Sequence, residues 1–147
     1  MTVILASQSS ARRAVLSGAG VAHEATVAGV DEDAAKRELL AAGAGPREVA
    51  EALAEQKALR VSESREGFVI GADQTLDFEG RLHDKVADLD AARARLKELR
   101  GRTHQLHSAV VVARGGAVIW RETVTATLTM RDFSDAFLED YLTVEGP

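Results

Sequence analysis

The sequence predicts an α/β fold with a long β-hairpin, on three observations. Short runs that are apolar throughout, Val3-Ile4-Leu5 and Phe68-Val69-Ile70, read as strands covered on both faces. Stretches of helical periodicity lie between and after them. Two β-branched runs, His104 to Arg114 and Ala117 to Met130, meet at Gly115-Gly116, a strong two-residue hairpin signal.

The chain has 147 residues, of which 46% are hydrophobic, enough for one domain with a real core. Two prolines, no cysteine and no apolar leader argue against a disulfide-stapled secreted protein. No apolar run approaches the ~18 residues of a membrane span. The expectation is therefore a cytoplasmic protein with no membrane partner. A net charge of −5 and only 4% aromatic residues disfavour a nucleic-acid binder, which needs a basic surface and stacking platforms.

Taken in order, the strand over Met1 to Leu5 runs into Ala6-Ser7-Gln8-Ser9-Ser10 and then a helix from Ala11 to about Ala19. A strand, a serine-rich turn and a helix start can bind an anion, because free N–H groups and hydroxyls converge there. Ordinary capping by Ser9 or Ser10 explains the same residues. Arg12 favours the anion reading. It shares a stripe with Val15, Leu16 and Ala19, which draws its guanidinium towards the interior or a cleft, with Arg13 about 100° round.

A second strand is expected over Ala22 to Ala28, and the acidic turn Asp31-Glu32-Asp33 opens a helix over Ala34 to Leu40. Carboxylates at a helix start are favourable in themselves. Gly43-Ala44-Gly45-Pro46 breaks the chain and starts a helix reaching about Val61. Its apolar stripe is Val49, Ala50, Leu53, Ala54, Ala58 and Val61, and Lys57 falls in the middle of it. A lysine there either snorkels out along its stem or faces a cavity holding anionic groups. On either reading a Lys57→Met chain is expected to fold.

The central stretch, Phe68 to Lys85, presents Asp73 and Gln74 where the apolar run is expected to end, at Gly71-Ala72. Open α/β sheets place ligands just beyond strand ends, although aspartate after glycine also caps turns. Glu79-Gly80 turns the chain back through Arg81 to Lys85. Asp88 caps a helix from Leu89 to Arg100, whose Leu89, Ala92, Leu96 and Leu99 form one structural face. His104 and His107, three apart in a strand, are too isolated for metal ligands. Ser134 caps a last helix to Leu142. The sequence holds no GxxxxGK[ST] loop, GxSxG elbow, HExxH or post-strand GxGxxG.

LASQSSARR (Leu5 to Arg13), VDE (Val30 to Glu32), LAEQKA (Leu53 to Ala58), IGADQ (Ile70 to Gln74) and the Gly80 to Lys85 return resemble the Maf family of nucleoside triphosphate pyrophosphatases, in order and spacing. Each motif is weak alone, and five in register are specific. The resemblance implies a Maf/Ham1 (ITPase)-like fold, a mixed twisted sheet flanked by helices, in a single domain over residues 1–147. It implies a cytoplasmic, homodimeric enzyme that releases pyrophosphate from a nucleoside triphosphate with a divalent metal, Mg²⁺ or Mn²⁺. Residue by residue, it assigns Ser7, Ser9, Arg12, Arg13, Gln74 and Lys85 to substrate, Asp73, Lys57 and Glu32 to catalysis, and Asp73 and Glu32 to the metal. Asp73 matches the base. Gln74 resembles the 7-methyl-GTP branch, where the thymidine and uridine branch favours threonine. The alternatives are a dTTP/UTP pyrophosphatase, a phosphatase releasing orthophosphate, or a non-catalytic nucleotide-binding regulator of cell division.

The chain departs from the family pattern in three places. Ser10 and Val86 stand where proline is preferred. Family members also continue past the last helix with an Ala-Tyr-Gly segment and closing strands, so the chain is expected to be C-terminally truncated. The expected consequence is a partner subunit over the hairpin, or exposed apolar surface beside it.

Overall fold

The computed structural model describes residues 1–146. A mixed sheet carries the strand order β2 (Glu24–Ala25), β1 (Val3–Leu5), β3 (Phe68–Phe78), β5 (Thr103–Arg114) and β6 (Ala117–Thr129), with β4 (Arg81–His83) paired to the far end of β3. β1 (Val3–Leu5) lies parallel to β2 (Glu24–Ala25) on one side and to the start of β3 (Phe68–Phe78) on the other. β4 (Arg81–His83), β5 (Thr103–Arg114) and β6 (Ala117–Thr129) are all antiparallel to their neighbours. The helices are α1 (Ser10–Gly18), α2 (Glu32–Ala41), α3 (Pro46–Ser62), α4 (Leu89–Leu99) and α5 (Asp135–Glu145). Among the described residues no helix is long and apolar enough to cross a membrane.

The core lies where α3 crosses the sheet. Proline at its first turn starts α3, and Ala50, Ala54 and Ala58 pack against Ala109, Val111 and Ala113 of β5. The expected stripe is buried in full, Lys57 included. Small residues on both sides let helix and sheet approach closely. Gly71 marks the tightest point: a Cβ there would stand 2.2 Å from the Ala54 carbonyl oxygen. A glycine in mid-strand often marks such an approach.

The sequence expectations need three corrections. The strand expected over Ala22 to Ala28 is reduced to Glu24–Ala25, because its partner β1 is only three residues long. α1 buries none of its residues, and Val15 is 70% exposed, so no interior stripe draws Arg12 inward. Most consequential, β3 does not end at Gly71-Ala72. Its pairing with β5 is unbroken from Val69 to Asp77, so Asp73 stands inside a strand. The strand that ends is β1.

Two satellites complete the fold. Ala92 of α4 packs with Leu138 and Leu142 of α5, backed by Val86, Leu96 and Phe133. Of the face expected for α4, Ala92 and Leu99 are buried and Leu89 is exposed. The hairpin turns at Gly115-Gly116, with φ of 61° and 79°, the left-handed values that a tight hairpin turn requires. Along its outer strand Ile119, Trp120, Val124 and Leu128 are exposed, so apolar surface does lie beside the hairpin.

Candidate active site

The premature end of β1 opens a gap. Its last backbone bond to β3 runs from Ala6 N–H to the Ile70 carbonyl, and β4 takes up pairing only at Leu76. Between these points one edge of β3 has no strand neighbour among the described residues. A cleft of about 1310 Å³ sits over that gap, walled by the Ala6–Ser9 turn, α2, the segment after β4, and parts of α4 and α5. β1 and β3 run parallel towards it, so the cleft lies beyond the carboxyl end of a parallel strand, where open α/β sheets bind ligands.

Lys57 reaches the gap from α3. Its Nζ donates to Asp73 Oδ1 at 3.1 Å and to the Ala72 carbonyl at 3.2 Å, and lies 2.8 Å from Glu32 Oε1. Three acceptors match the three ammonium hydrogens. The buried cation therefore does not snorkel; it clamps two carboxylates together. The Ala72 carbonyl it satisfies belongs to the bare stretch of β3, and Asp73 Oδ2 is buried without a partner among the described residues.

Burial pushes the Asp73 carboxyl above its ordinary 3.8, outweighing the charge and hydrogen bond of Lys57; Glu32 adds to the rise. Glu32 goes the other way. Its burial would raise it from 4.5, but the Lys57 hydrogen bond and the charges of Lys57, Lys36 and Lys85 together hold it lower. The two carboxylates flanking one ammonium are thus shifted in opposite directions, Asp73 up by its burial and Glu32 down by the cations around it.

Ser7 and Ser9 organise the opposite wall. Ser9 caps α1 by accepting from the Arg12 N–H, and Ser7 Oγ accepts from the Ser9 N–H and from Arg12 Nη1. Arg12 has no carboxylate partner among the described residues, so its charge remains for an anion over the start of α1. Lys85 is exposed on the cleft rim.

Of the residues singled out in the sequence, Ser7, Ser9, Arg12, Glu32, Lys57, Asp73, Gln74 and Lys85 line the cleft, and Arg13 does not. Arg13 is exposed on another face of α1. Gln74 lines the cleft from the other side of β3 than Asp73, because consecutive strand residues point to opposite faces. Its Oε1 accepts from Ser108 Oγ at 3.3 Å. The sequence reading missed Lys36 and Asp84, which form a 2.7 Å ion pair in the cleft, and Arg95 of α4. Lys36 follows Glu32 by one helical turn, a signal present in the sequence. Nothing local announces Asp84.

His107 is held away from this site, between Asp77 Oδ2 at 2.9 Å and Thr125 Oγ1 at 2.8 Å. Among the described residues no three His, Cys, Asp or Glu side chains cluster as a ready-made metal cage. The donors present still suit a hard divalent cation shared with a ligand. Such ions commonly take one or two carboxylates plus phosphate oxygens, and Asp73 Oδ2 is an unpartnered carboxylate oxygen.

A HAM1 protein from Coxiella burnetii shares the fold, with a TM-score of 0.54 at 13% identity over 86% of this chain and 70% of that one. A nucleoside triphosphate pyrophosphatase of Caulobacter vibrioides is 62% identical over 144 residues, covering 98% of this chain and 72% of the relative. A 7-methyl-GTP pyrophosphatase of Rhizobium meliloti is 45% identical over 145 residues, covering 98% and 73% respectively. The family profile described as Maf-like protein matches residues 2–147, and the chain belongs to the Maf family.

Proposed function

We propose that this chain hydrolyses a nucleoside triphosphate between its α and β phosphates, giving the nucleoside monophosphate and pyrophosphate. The observation that carries the reading is Asp73, fixed through Oδ1 by Lys57 in a cleft that Arg12 and Lys85 border, with Oδ2 unpartnered and neither cation ion-paired among the described residues. Family membership and the pyrophosphatase relatives support it.

The residues have distinct tasks. Arg12, Ser7 and the start of α1 hold phosphate oxygens, and Lys85 adds charge from the rim. Asp73 Oδ2 takes a proton from water as the water oxygen bonds to the α phosphorus. The bond from that phosphorus to the bridging oxygen breaks, and pyrophosphate leaves with the electron pair. Lys57 fixes the angle of Asp73 and holds Glu32 beside it. Mg²⁺ or Mn²⁺ bound by Asp73 and Glu32 would neutralise phosphate charge and polarise the anhydride.

The base we assign is a purine, with 7-methyl-GTP the leading substrate. Gln74 offers both a donor and an acceptor to a base edge, and one of the relatives carries that substrate in its name. We assign the chain to the cytoplasm, on the expectation that it works on the cell's pool of nucleoside triphosphates. A homodimer would cover the exposed apolar residues of β6.

The test is product analysis on 7-methyl-GTP, GTP, dTTP and UTP with Mg²⁺ or Mn²⁺, in ¹⁸O-labelled water. Pyrophosphate and labelled monophosphate are expected. Orthophosphate would make the chain a phosphatase, and binding without turnover would make it a nucleotide sensor. A preference for dTTP or UTP over guanine nucleotides would reject the purine assignment.

A further inference from the structure

Lys36 and Lys57 serve the same cleft in different ways. Lys57 is buried, and its three donors are taken by Glu32, Asp73 and the Ala72 carbonyl. Lys36 stands one turn along α2 from Glu32, and its side chain is 19% exposed. Its one ion-pair partner among the described residues is Asp84, 48 residues away on the segment after β4, whose side chain is 56% exposed. The other two hydrogens of the Lys36 ammonium have no acceptor among the described residues. The charges run Asp84, Lys36, Glu32, Lys57, Asp73 with alternating sign, from solvent to core.

An ion pair with its cation in the cleft and its anion in water is a weak, exchangeable contact, because water solvates the released carboxylate well. A polyphosphate brings several negative charges into the space that Lys36 borders. We propose that Asp84 and the polyphosphate compete for Lys36, so that Asp84 is an internal competitor that sets how tightly the cleft holds its substrate. This rests on the nucleoside triphosphate reading above and deepens it. When substrate enters, Lys36 exchanges Asp84 for a phosphate oxygen; when product leaves, Asp84 takes the ammonium back.

The competition predicts opposite signs for the two halves of one ion pair. Binding of a guanosine triphosphate analogue with a non-hydrolysable α–β bridge, measured by titration calorimetry with Mg²⁺, reads it directly. Lys36→Met should weaken binding roughly tenfold, the scale of a charge-assisted contact. Asp84→Asn should tighten it by about two- to fivefold, the scale of a half-exposed ion pair. The double variant should match Lys36→Met alone, and Lys36→Arg should stay near the parent chain. If the pair is only a structural strap, both single variants weaken binding alike, which overturns the proposal. Unchanged affinity in Asp84→Asn overturns it too. Both outcomes leave the pyrophosphatase reading standing, whereas a parent chain that binds no triphosphate removes both.

Discussion

Lys57 holds Asp73 by one oxygen only: Nζ to Oδ1 is 3.1 Å, and Oδ2 is buried without a partner among the described residues. This asymmetry gives the carboxylate a fixed direction and an unused lone pair. A base for an activated water needs both.

Asp73→Asn keeps the shape and removes the base. Turnover should fall by about 10²- to 10⁴-fold, the usual contribution of a positioned base. Triphosphate binding should persist, since Arg12, Lys85 and Lys36 are untouched. Near-normal turnover in a preparation free of host hydrolases would disprove the assignment.

Lys57→Met reverses an expectation drawn from the apolar stripe. Methionine suits the helix, but it leaves Asp73 buried and without its counter-ion. Breaking such a buried pair costs about 3–5 kcal/mol. The loss should be large in denaturant titrations near pH 8, where Asp73 is ionised, and should shrink as the pH is lowered and Asp73, whose pKa is already raised above 3.8, gains a proton. A variant as stable as the parent chain across that range would mean that Asp73 is not a buried charge.

Asp73 and Glu32 act oppositely on pH dependence. The Asp73 pKa is raised from 3.8, so its share of stability is fully present below 3.8 and is lost as pH rises through its folded value. The Glu32 pKa is lowered from 4.5, so its share is present above 4.5 and is lost as pH falls through its folded value. The rate needs ionised Asp73 and should rise with pH to a midpoint above 3.8. A kcat/KM profile gives that midpoint, and one at or below 3.8 would remove Asp73 as the base.

Gly71→Ala tests the contact beneath the site. The added Cβ would meet the Ala54 carbonyl oxygen at 2.2 Å and the Ala58 nitrogen at 2.7 Å, both backbone atoms of α3. Overpacking of this kind costs about 1–3 kcal/mol. Because α3 carries Lys57, turnover should drop along with the thermal midpoint. An unshifted midpoint would show that α3 can move off the sheet at little cost.

Much of the molecule was legible in the sequence because its signals are local. Proline at the start of α3, the caps Ser9, Asp88 and Ser134, and the Gly115-Gly116 turn act within a few residues of themselves. The stripe that buries Lys57 is a matter of 3.6-residue periodicity, and the five short motifs carried the family. Register and relative strand length are not local. β1 stops after three residues while β3 continues for eleven, and this difference opened the cleft and put Asp73 inside a strand. Asp84 was silent because its partner Lys36 lies 48 residues away, and only the packed sheet and helices bring them within 2.7 Å. The sequence by itself determined which charged residues this protein has and which helix turns they occupy. Only the tertiary structure decided which charges meet and which oxygen of Asp73 stays unpaired, because both depend on distances between segments that share no local pattern.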